Sequence, residues 1–166
     1  MQNDITIECS LVGAGWAQCY LDVYGAVCTT TASYLSDALF ELFNGTNHML
    51  GGGNEARFSF DDEPGEYRWI FRRTSIGGLG IKILEFDDLW GGKPDEDGAV
   101  LADFMCQAHD FGAALLVSLN KLLDEIGVAG YRETWSSTEF PIADYKILCA
   151  HLGEPLSPRL RTTDAQ

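Results

Sequence analysis

The sequence is short of positive charge. Its 166 residues include 25 Asp and Glu but only 11 Lys and Arg, which gives a formal net charge of −14. Binding to nucleic acid requires a basic surface that neutralises phosphates, and anionic membranes likewise attract basic segments. The acidity therefore excludes a general nucleic-acid binder and disfavours an anionic membrane surface as a partner.

The chain also lacks long hydrophobic runs and a secretory start. No segment approaches the roughly 20 apolar residues that span a bilayer, and residues 1–4 have neither the basic start nor the apolar stretch of a signal peptide. The cysteines are odd in number, widely spread and without a Cys-x-x-Cys pair, unlike those of small disulfide-rich secreted domains. We therefore expect a cytoplasmic protein with reduced, mostly buried thiols. The five cysteines are Cys9, Cys19, Cys28, Cys106 and Cys149.

Motifs for phosphate binding, metal ligation and catalysis are absent from the sequence. The glycine clusters 13–15 and 51–53 precede strand-like segments rather than helices, so we interpret them as turns. Cys106 and His109 lack a second pair at the spacing of a zinc site. We accordingly predict no catalytic residue, no metal site and no cofactor.

What the sequence does contain is 46% hydrophobic residues, arranged in short periodic segments that can form one core. Alternation of apolar and polar residues predicts strands, and the short connections between them favour antiparallel pairing. Trp69 and Phe71 are predicted to face the core. The predicted strands span residues 5–11, 16–24, 56–61, 67–73, 79–87 and 100–106.

Helical spacing predicts three helices. The first has caps at residues 29–31, an apolar stripe between Leu35 and Phe43, and an end at Asn44-Gly45. The second begins at Asp110, carries an apolar stripe from Phe111 to Ile126 and ends at Gly127. A connector containing Gly130, Tyr131 and Trp135 precedes the last helix, which runs from Pro141 to Gly153.

Together these segments predict an α+β fold in the order β-β-α-β-β-β-β-α-α. We expect one antiparallel sheet of about six strands with two to three helices packed on one face. Residues 1–152 are expected to form a single domain. Residues 153–166 contain two prolines and few large apolar residues, so we expect a flexible C-terminal tail.

Acidic residues cluster after the fifth predicted strand. The order of calcium ligands in an EF-hand is not met, because Lys93-Pro94 interrupts the cluster. Three interpretations remain: a solvated loop, carboxylates paired for acid–base chemistry or Ca²⁺, and a docking surface for a basic partner. From this cluster the candidate partner-binding residues are Asp87, Asp88, Asp95, Glu96 and Asp97.

Basic and aromatic residues suggest a second surface. By alternation, Arg57, Arg68, Arg72 and Lys82 point away from the core, and so do three aromatic residues of the second strand. If these strands share one sheet, its open face carries residue types that are enriched at binding hot spots. The alternative is ordinary cross-strand pairing, with arginine stems on aromatic rings and their charges near Glu8 or Asp22. The candidate partner-binding residues of this face are Trp16, Tyr20, Tyr24, Arg68 and Arg72.

The order of several segments along the chain resembles that of a known group of proteins. The segment Glu63–Trp69 precedes a strand pair and an acidic turn, after which come the long helix, Gly130-Tyr131, Trp135 and Phe140-Pro141. Over about residues 5–152 the chain resembles small acidic bacterial proteins of unassigned function, some of them similar to immunity proteins of polymorphic-toxin systems. The resemblance implies a cytoplasmic α+β protein that binds and blocks a toxin domain. It transfers no active-site residue, because such families are defined by their partners.

Three hypotheses of function follow. The first is a non-enzymatic protein-binding protein, an immunity-like antidote to a basic toxin domain. The second is a small-ligand-binding or enzymatic domain with a pocket between sheet and helices near Cys106, His109, Asp110 and Trp135. The third is self-association through the open sheet face, which would give a homo-oligomer.

Overall fold

The strands are divided between two antiparallel sheets. The structure is a computed structural model that describes residues 4–135 and 138–161. The predicted α+β class with antiparallel strands is confirmed, whereas the single six-stranded sheet is wrong. The first sheet has, in this order, β1 (Ile5–Leu11), β2 (Trp16–Val23) and β3 (Ala26–Ser33). The second sheet has, in this order, β4 (Glu55–Asp62), β5 (Gly65–Arg73), β6 (Leu79–Phe86) and β7 (Ala99–Cys106).

The additional strand is β3, which includes the threonines expected to cap a helix. Tyr24 and Gly25 connect it to β2, and both have positive φ, at 54° and 87°. Two-residue hairpin turns of this kind need positive φ at both positions, which tyrosine seldom adopts. The turn is therefore not evident from the sequence. Small side chains of β3 alternate into the interior, namely Cys28, Thr30 and Ala32.

The first helix begins and ends later than predicted. Four α-helices lie in the described residues, and α1 (Ala38–Leu50) is capped by Asp37, whose carboxylate accepts a hydrogen bond from the Phe40 amide. The helix continues through Gly45, the predicted end. A Cβ atom at Gly45 would lie 2.7 Å from the ring of Phe58. This glycine therefore allows α1 to pack closely on β4 and does not end the helix.

The second helix, α2 (Ala108–Thr134), is 27 residues long and is broken at Gly127. Gly127 was expected to end the helix, but the chain resumes helical geometry after a single residue with φ 65° and ψ −179°. Asp110 lies within the first turn, and Gln107 occupies the cap position. Tyr131 and Trp135, expected in an irregular connector, are each 1% exposed at the end of this helix. None of the helices in residues 4–135 and 138–161 is long and apolar enough to cross a bilayer.

The described part of the segment after Gly153, where a flexible tail is expected from the sequence, contains two buried residues, Ser157 and Leu160. The third helix, α3 (Ile142–Leu152), follows Pro141 and ends at Gly153 as predicted. A short helix, α4 (Pro158–Arg161), then buries Leu160, which is 3% exposed. The Tyr145 hydroxyl accepts a hydrogen bond from the Ser157 amide at 3.0 Å. The remainder of the predicted tail, residues 162–166, lies outside the described residues.

One hydrophobic cluster joins the inner faces of both sheets to the helices. Trp69 and Phe71 on β5 are fully buried in it, as predicted. The Trp69 ring stacks on Phe58 of β4 with centroids 5.7 Å apart, and the Phe71 ring contacts Phe111 of α2 edge-on at 5.5 Å. The aromatic side chains of the second sheet therefore connect it to the long helix.

Phe71 tests which face of β5 is buried. We expect Phe71→Ala to lower the free energy of unfolding by about 3–5 kcal/mol, because it leaves a cavity among packed aromatic rings. The control is Ile76→Ala, since Ile76 is 84% exposed and its loss should cost less than about 0.5 kcal/mol. Urea denaturation measures both. A cost below about 1 kcal/mol for Phe71→Ala would contradict the assigned face.

Candidate functional site

The outer face of the second sheet is covered by the loop between β6 and β7. We call residues 87–98 the acidic loop. Beneath it lies a small apolar cluster of Ile70, Leu84 and Phe86, separate from the main core. Gly98 lies directly on this cluster, since a Cβ atom there would be 2.7 Å from the Phe86 ring. The centre of the face that was expected to be open is thus closed by the chain itself.

Asp95 connects the acidic loop to the arginines of the sheet. Both of its carboxylate oxygens accept hydrogen bonds from Arg57 Nη2 at 2.7 Å, and Oδ1 also accepts one from Arg68 Nη1 at 2.9 Å. The hydrogen bonds from Arg57 and Arg68 hold the pKa of Asp95 below its ordinary value, because they stabilise the charged carboxylate. Two strands, β4 and β5, therefore hold one residue of the loop.

Arg68 makes the most contacts in this network. Its guanidinium donates to Glu66 Oε1 at 3.0 Å and to the Lys93 carbonyl at 2.9 Å. It also lies 4.3 Å from the centroid of the Phe86 ring, a distance at which a cation and an aromatic ring attract each other. The side chain is only 15% exposed. Arg68, a predicted partner-binding residue, is therefore occupied by contacts within the chain.

The other basic side chains of this face also have partners within the chain, as in the predicted alternative of cross-strand pairing. Their partners belong to the second sheet and its connections and do not include Glu8 or Asp22. Arg72 remains accessible, with its side chain 60% exposed. Arg72 binds Glu55 at 2.8 Å, and Lys82 lies 3.4 Å from Asp103.

The three predicted aromatic residues do not join the arginines, because β2 and β5 lie in different sheets. The expected combined face is therefore wrong. Trp16 and Tyr20 are half-buried on β2, and Tyr24 is 57% exposed in the turn after it. Tyr20 lines a groove of about 380 Å³ between the first sheet and α2.

The acidic loop exposes a tryptophan whose exposure no sequence pattern indicates. Trp90 is 83% exposed. Its amide donates to Asp88 Oδ1 at 2.9 Å, and the amide of Leu89 donates to the Pro64 carbonyl at 2.7 Å. Trp90 belongs to no periodic pattern, so the only available signal was its position beside Asp87 and Asp88. It is the most prominent apolar group in this part of the molecule.

No family model, curated protein or solved structure matches the chain. The resemblance to immunity proteins therefore depends on segment order in the sequence.

Further carboxylates lie next to the acidic loop. They line a depression of about 290 Å³ between the β4–β5 turn and the end of β6. Asp61 precedes one of these carboxylates, Asp62, on β4. Burial and the nearby charges of Glu66 and Glu63 raise the pKa of Asp61. No group of three or more His, Cys, Asp or Glu within the described residues is arranged to hold a metal ion. The acidic residues lining the depression are Asp62, Glu63, Glu66, Glu85 and Asp87.

Trp135 does not join the other residues suggested for an enzymatic pocket, whereas the charge of Asp110 acts on Cys106. Cys106 is buried at the end of β7, and His109 is exposed in the first turn of α2. Trp135 is buried beyond the opposite end of that helix. Burial raises the pKa of Cys106 to about 12, so its thiol is protonated and unreactive near neutral pH.

Asp95 tests how the acidic loop is attached to the sheet. We expect Asp95→Asn to lower the free energy of unfolding by about 1–2 kcal/mol at low salt, because two guanidinium groups lose a charged acceptor. The pKa of Asp95 is lowered from 3.8, so this contribution is complete above that value and is lost as the pH falls through the lowered pKa. Urea denaturation at pH values between about 2 and 8 measures the difference.

Glu96→Gln is the matched control for Asp95→Asn. Glu96 is the exposed neighbour of Asp95, and its substitution removes the same charge without breaking a hydrogen bond in the network. Its effect on the free energy of unfolding should stay within about 0.5 kcal/mol. Equal losses in the two variants would show that Asp95 has no special role in holding the loop.

Proposed function

We propose that this chain is a non-enzymatic protein-binding protein that docks a basic partner through the acidic loop, with Trp90 as the central contact. The observation that carries the proposal is the exposure of Trp90. This residue is 83% exposed, on a loop that hydrogen bonds from Arg57 and Arg68 hold against the sheet. An exposed indole ring buries a large apolar area when a partner docks. Because the loop is already held against the sheet, it loses little conformational entropy on binding. Tryptophan is also among the residue types that most often dominate binding energy.

The charge around Trp90 favours a basic partner. The basic side chains on the outer face of the sheet are neutralised within the chain, whereas exposed carboxylates of the loop form no ion pair with a described Lys or Arg. A partner's Lys or Arg could stack on the indole ring and pair with a neighbouring carboxylate. The net charge of −14 would also speed the encounter. These exposed carboxylates are Asp87, Asp88, Glu96 and Asp97.

The class of partner that we propose is a basic protein domain of the kind that an immunity protein binds and blocks. The segment order in the sequence supports this class, and so does the sign of the charge. Blocking a domain requires a stable complementary surface and no reacting group. The acidic loop, which is held against the sheet and exposes Trp90, would supply such a stable surface.

The purified product of the adjacent gene is the probe for this proposal. Titration calorimetry should show a complex of micromolar or tighter affinity. Stopped-flow measurements should show association that slows as salt is added, because salt screens the attraction between the two surfaces. Absence of a complex with the purified product at micromolar concentrations would overturn the proposed class of partner.

Substitution of Trp90 tests the docking surface. We expect Trp90→Ala to weaken binding by about 30-fold, the effect of losing a hot-spot side chain worth about 2 kcal/mol. The free energy of unfolding should change by less than about 0.5 kcal/mol, because the ring is exposed. Ile76→Ala removes an equally exposed side chain from the β5–β6 turn and should leave affinity unchanged. Equal affinities for the two variants would place docking elsewhere.

Two matched double variants test the charge of the loop. Asp87→Asn with Asp97→Asn removes two charges from the acidic loop, and Glu133→Gln with Glu154→Gln removes two from exposed positions at the ends of helices. We expect the first pair to slow association by about three- to tenfold and the second to have a smaller effect, because nearby charges act most strongly. Equal effects would show that only the net charge matters.

A further inference from the structure

Cys9 and Cys19 form a thiol pair that the proposed function does not use. They are register partners on β1 and β2, and their Sγ atoms lie 3.4 Å apart. The Cys9 amide donates to Ser118 Oγ at 2.7 Å, so the two cysteines occupy a non-hydrogen-bonded position of the antiparallel ladder. Cα atoms at such positions are about 4.5 Å apart, within the range that disulfides bridge, about 4.4–6.8 Å.

The two thiols differ in accessibility and in ionisation. Cys9 is half-buried, whereas Cys19 is 3% exposed. A hydrogen bond from the Cys19 thiol lowers the pKa of Cys9 against the opposing effect of burial, and Ser118 lowers it further. The same contact, together with burial, raises the pKa of Cys19. Cys9 is thus the more nucleophilic thiol, and Cys19 is placed to react second.

The groove between the first sheet and α2 provides access to Cys9. Cys9 is among the residues that line it, and its volume of about 380 Å³ is in the range of small-ligand sites. Its walls are partly apolar and also carry polar groups and charges of both signs. Such walls suit a molecule that has both ammonium and carboxylate groups. The polar lining residues include Glu8, Gln18, Tyr20, Lys121 and Glu125.

We propose that Cys9 and Cys19 form a thiol–disulfide exchange site for low-molecular-weight disulfides that carry amino and carboxylate groups. The Cys9 thiolate attacks one sulfur of the disulfide, forms a mixed disulfide and releases a thiolate, which takes up the proton that Cys9 lost. Cys19 then attacks Cys9 Sγ, and its proton passes to the second departing thiolate. The small disulfide is reduced to two thiols, and the cysteine pair is oxidised to a disulfide.

Glutathione disulfide is the probe for this proposal. The reduced protein is incubated with it, quenched with acid, alkylated and mapped by mass spectrometry. We expect the wild-type chain to lose two hydrogen atoms and to yield a Cys9–Cys19 cross-linked peptide. Cys19→Ser should retain one glutathione on Cys9, Cys9→Ser should retain none on Cys19, and Cys28→Ser should behave as the wild type. An adduct on Cys9 that never yields the cross-link in the wild type would overturn the role of Cys19.

Two measurements on the wild-type chain keep the test independent of substitutions. Iodoacetamide should modify Cys9 at least about tenfold faster than Cys28, since burial raises the pKa of Cys28 to about 11. Bis(2-hydroxyethyl) disulfide, which is uncharged, should react more slowly than glutathione disulfide. Uniformly slow alkylation, or a protein that stays reduced in excess glutathione disulfide, would overturn the site. Equal rates with the two disulfides would overturn the proposed ligand class.

Discussion

The contact between Asp95 and the guanidinium groups of Arg57 and Arg68 determines what the protein presents to solvent. Without it, the second sheet would expose the arginines that the sequence predicts on its open face. With it, the acidic loop lies across that face and the arginines are neutralised. Ion pairs between exposed groups contribute little on their own. Here the Asp95 carboxylate binds two arginines, and Gly98 of the same loop packs on the Phe86 ring. The ion pair and the apolar contact therefore hold the loop together.

The same contact separates the charges of the chain into two populations. Carboxylates such as Glu55, Glu66 and Asp95 pair with arginines and stabilise the fold. Others, such as Asp87 and Asp97, remain exposed on the loop. These exposed carboxylates form no ion pair with a described Lys or Arg. That distribution is why we assign the binding surface to the acidic loop and not to the arginines.

The sequence predicts those parts of the fold that depend on local patterns. Six of the seven strands follow from alternation, and the burial of Trp69 and Phe71 follows from the same rule. β3 is missed because its turn has Tyr24 where asparagine or glycine is usual. The role of Gly45 is misinterpreted because a glycine is needed there to leave room for the ring of Phe58, which is remote in sequence.

The candidate site was less accessible to sequence reasoning than the fold. Asp95 and Arg68 were both identified as candidates, but as parts of two separate surfaces. Their contact depends on how a loop returns to a sheet, which no periodicity encodes. Trp90 was missed for the same reason, since a loop residue has no pattern from which exposure can be inferred. The pairing of Cys9 with Cys19 depends on strand register, which a one-residue shift would abolish.

The division into two sheets has a consequence for how the protein can evolve. The acidic loop depends on β4 and β5, whereas the thiol pair depends on β1 and β2, and no strand is common to both. Substitutions at separate sites without shared contacts have nearly additive effects. Substitutions in the acidic loop can therefore accumulate while the cysteine pair and its groove stay as they are.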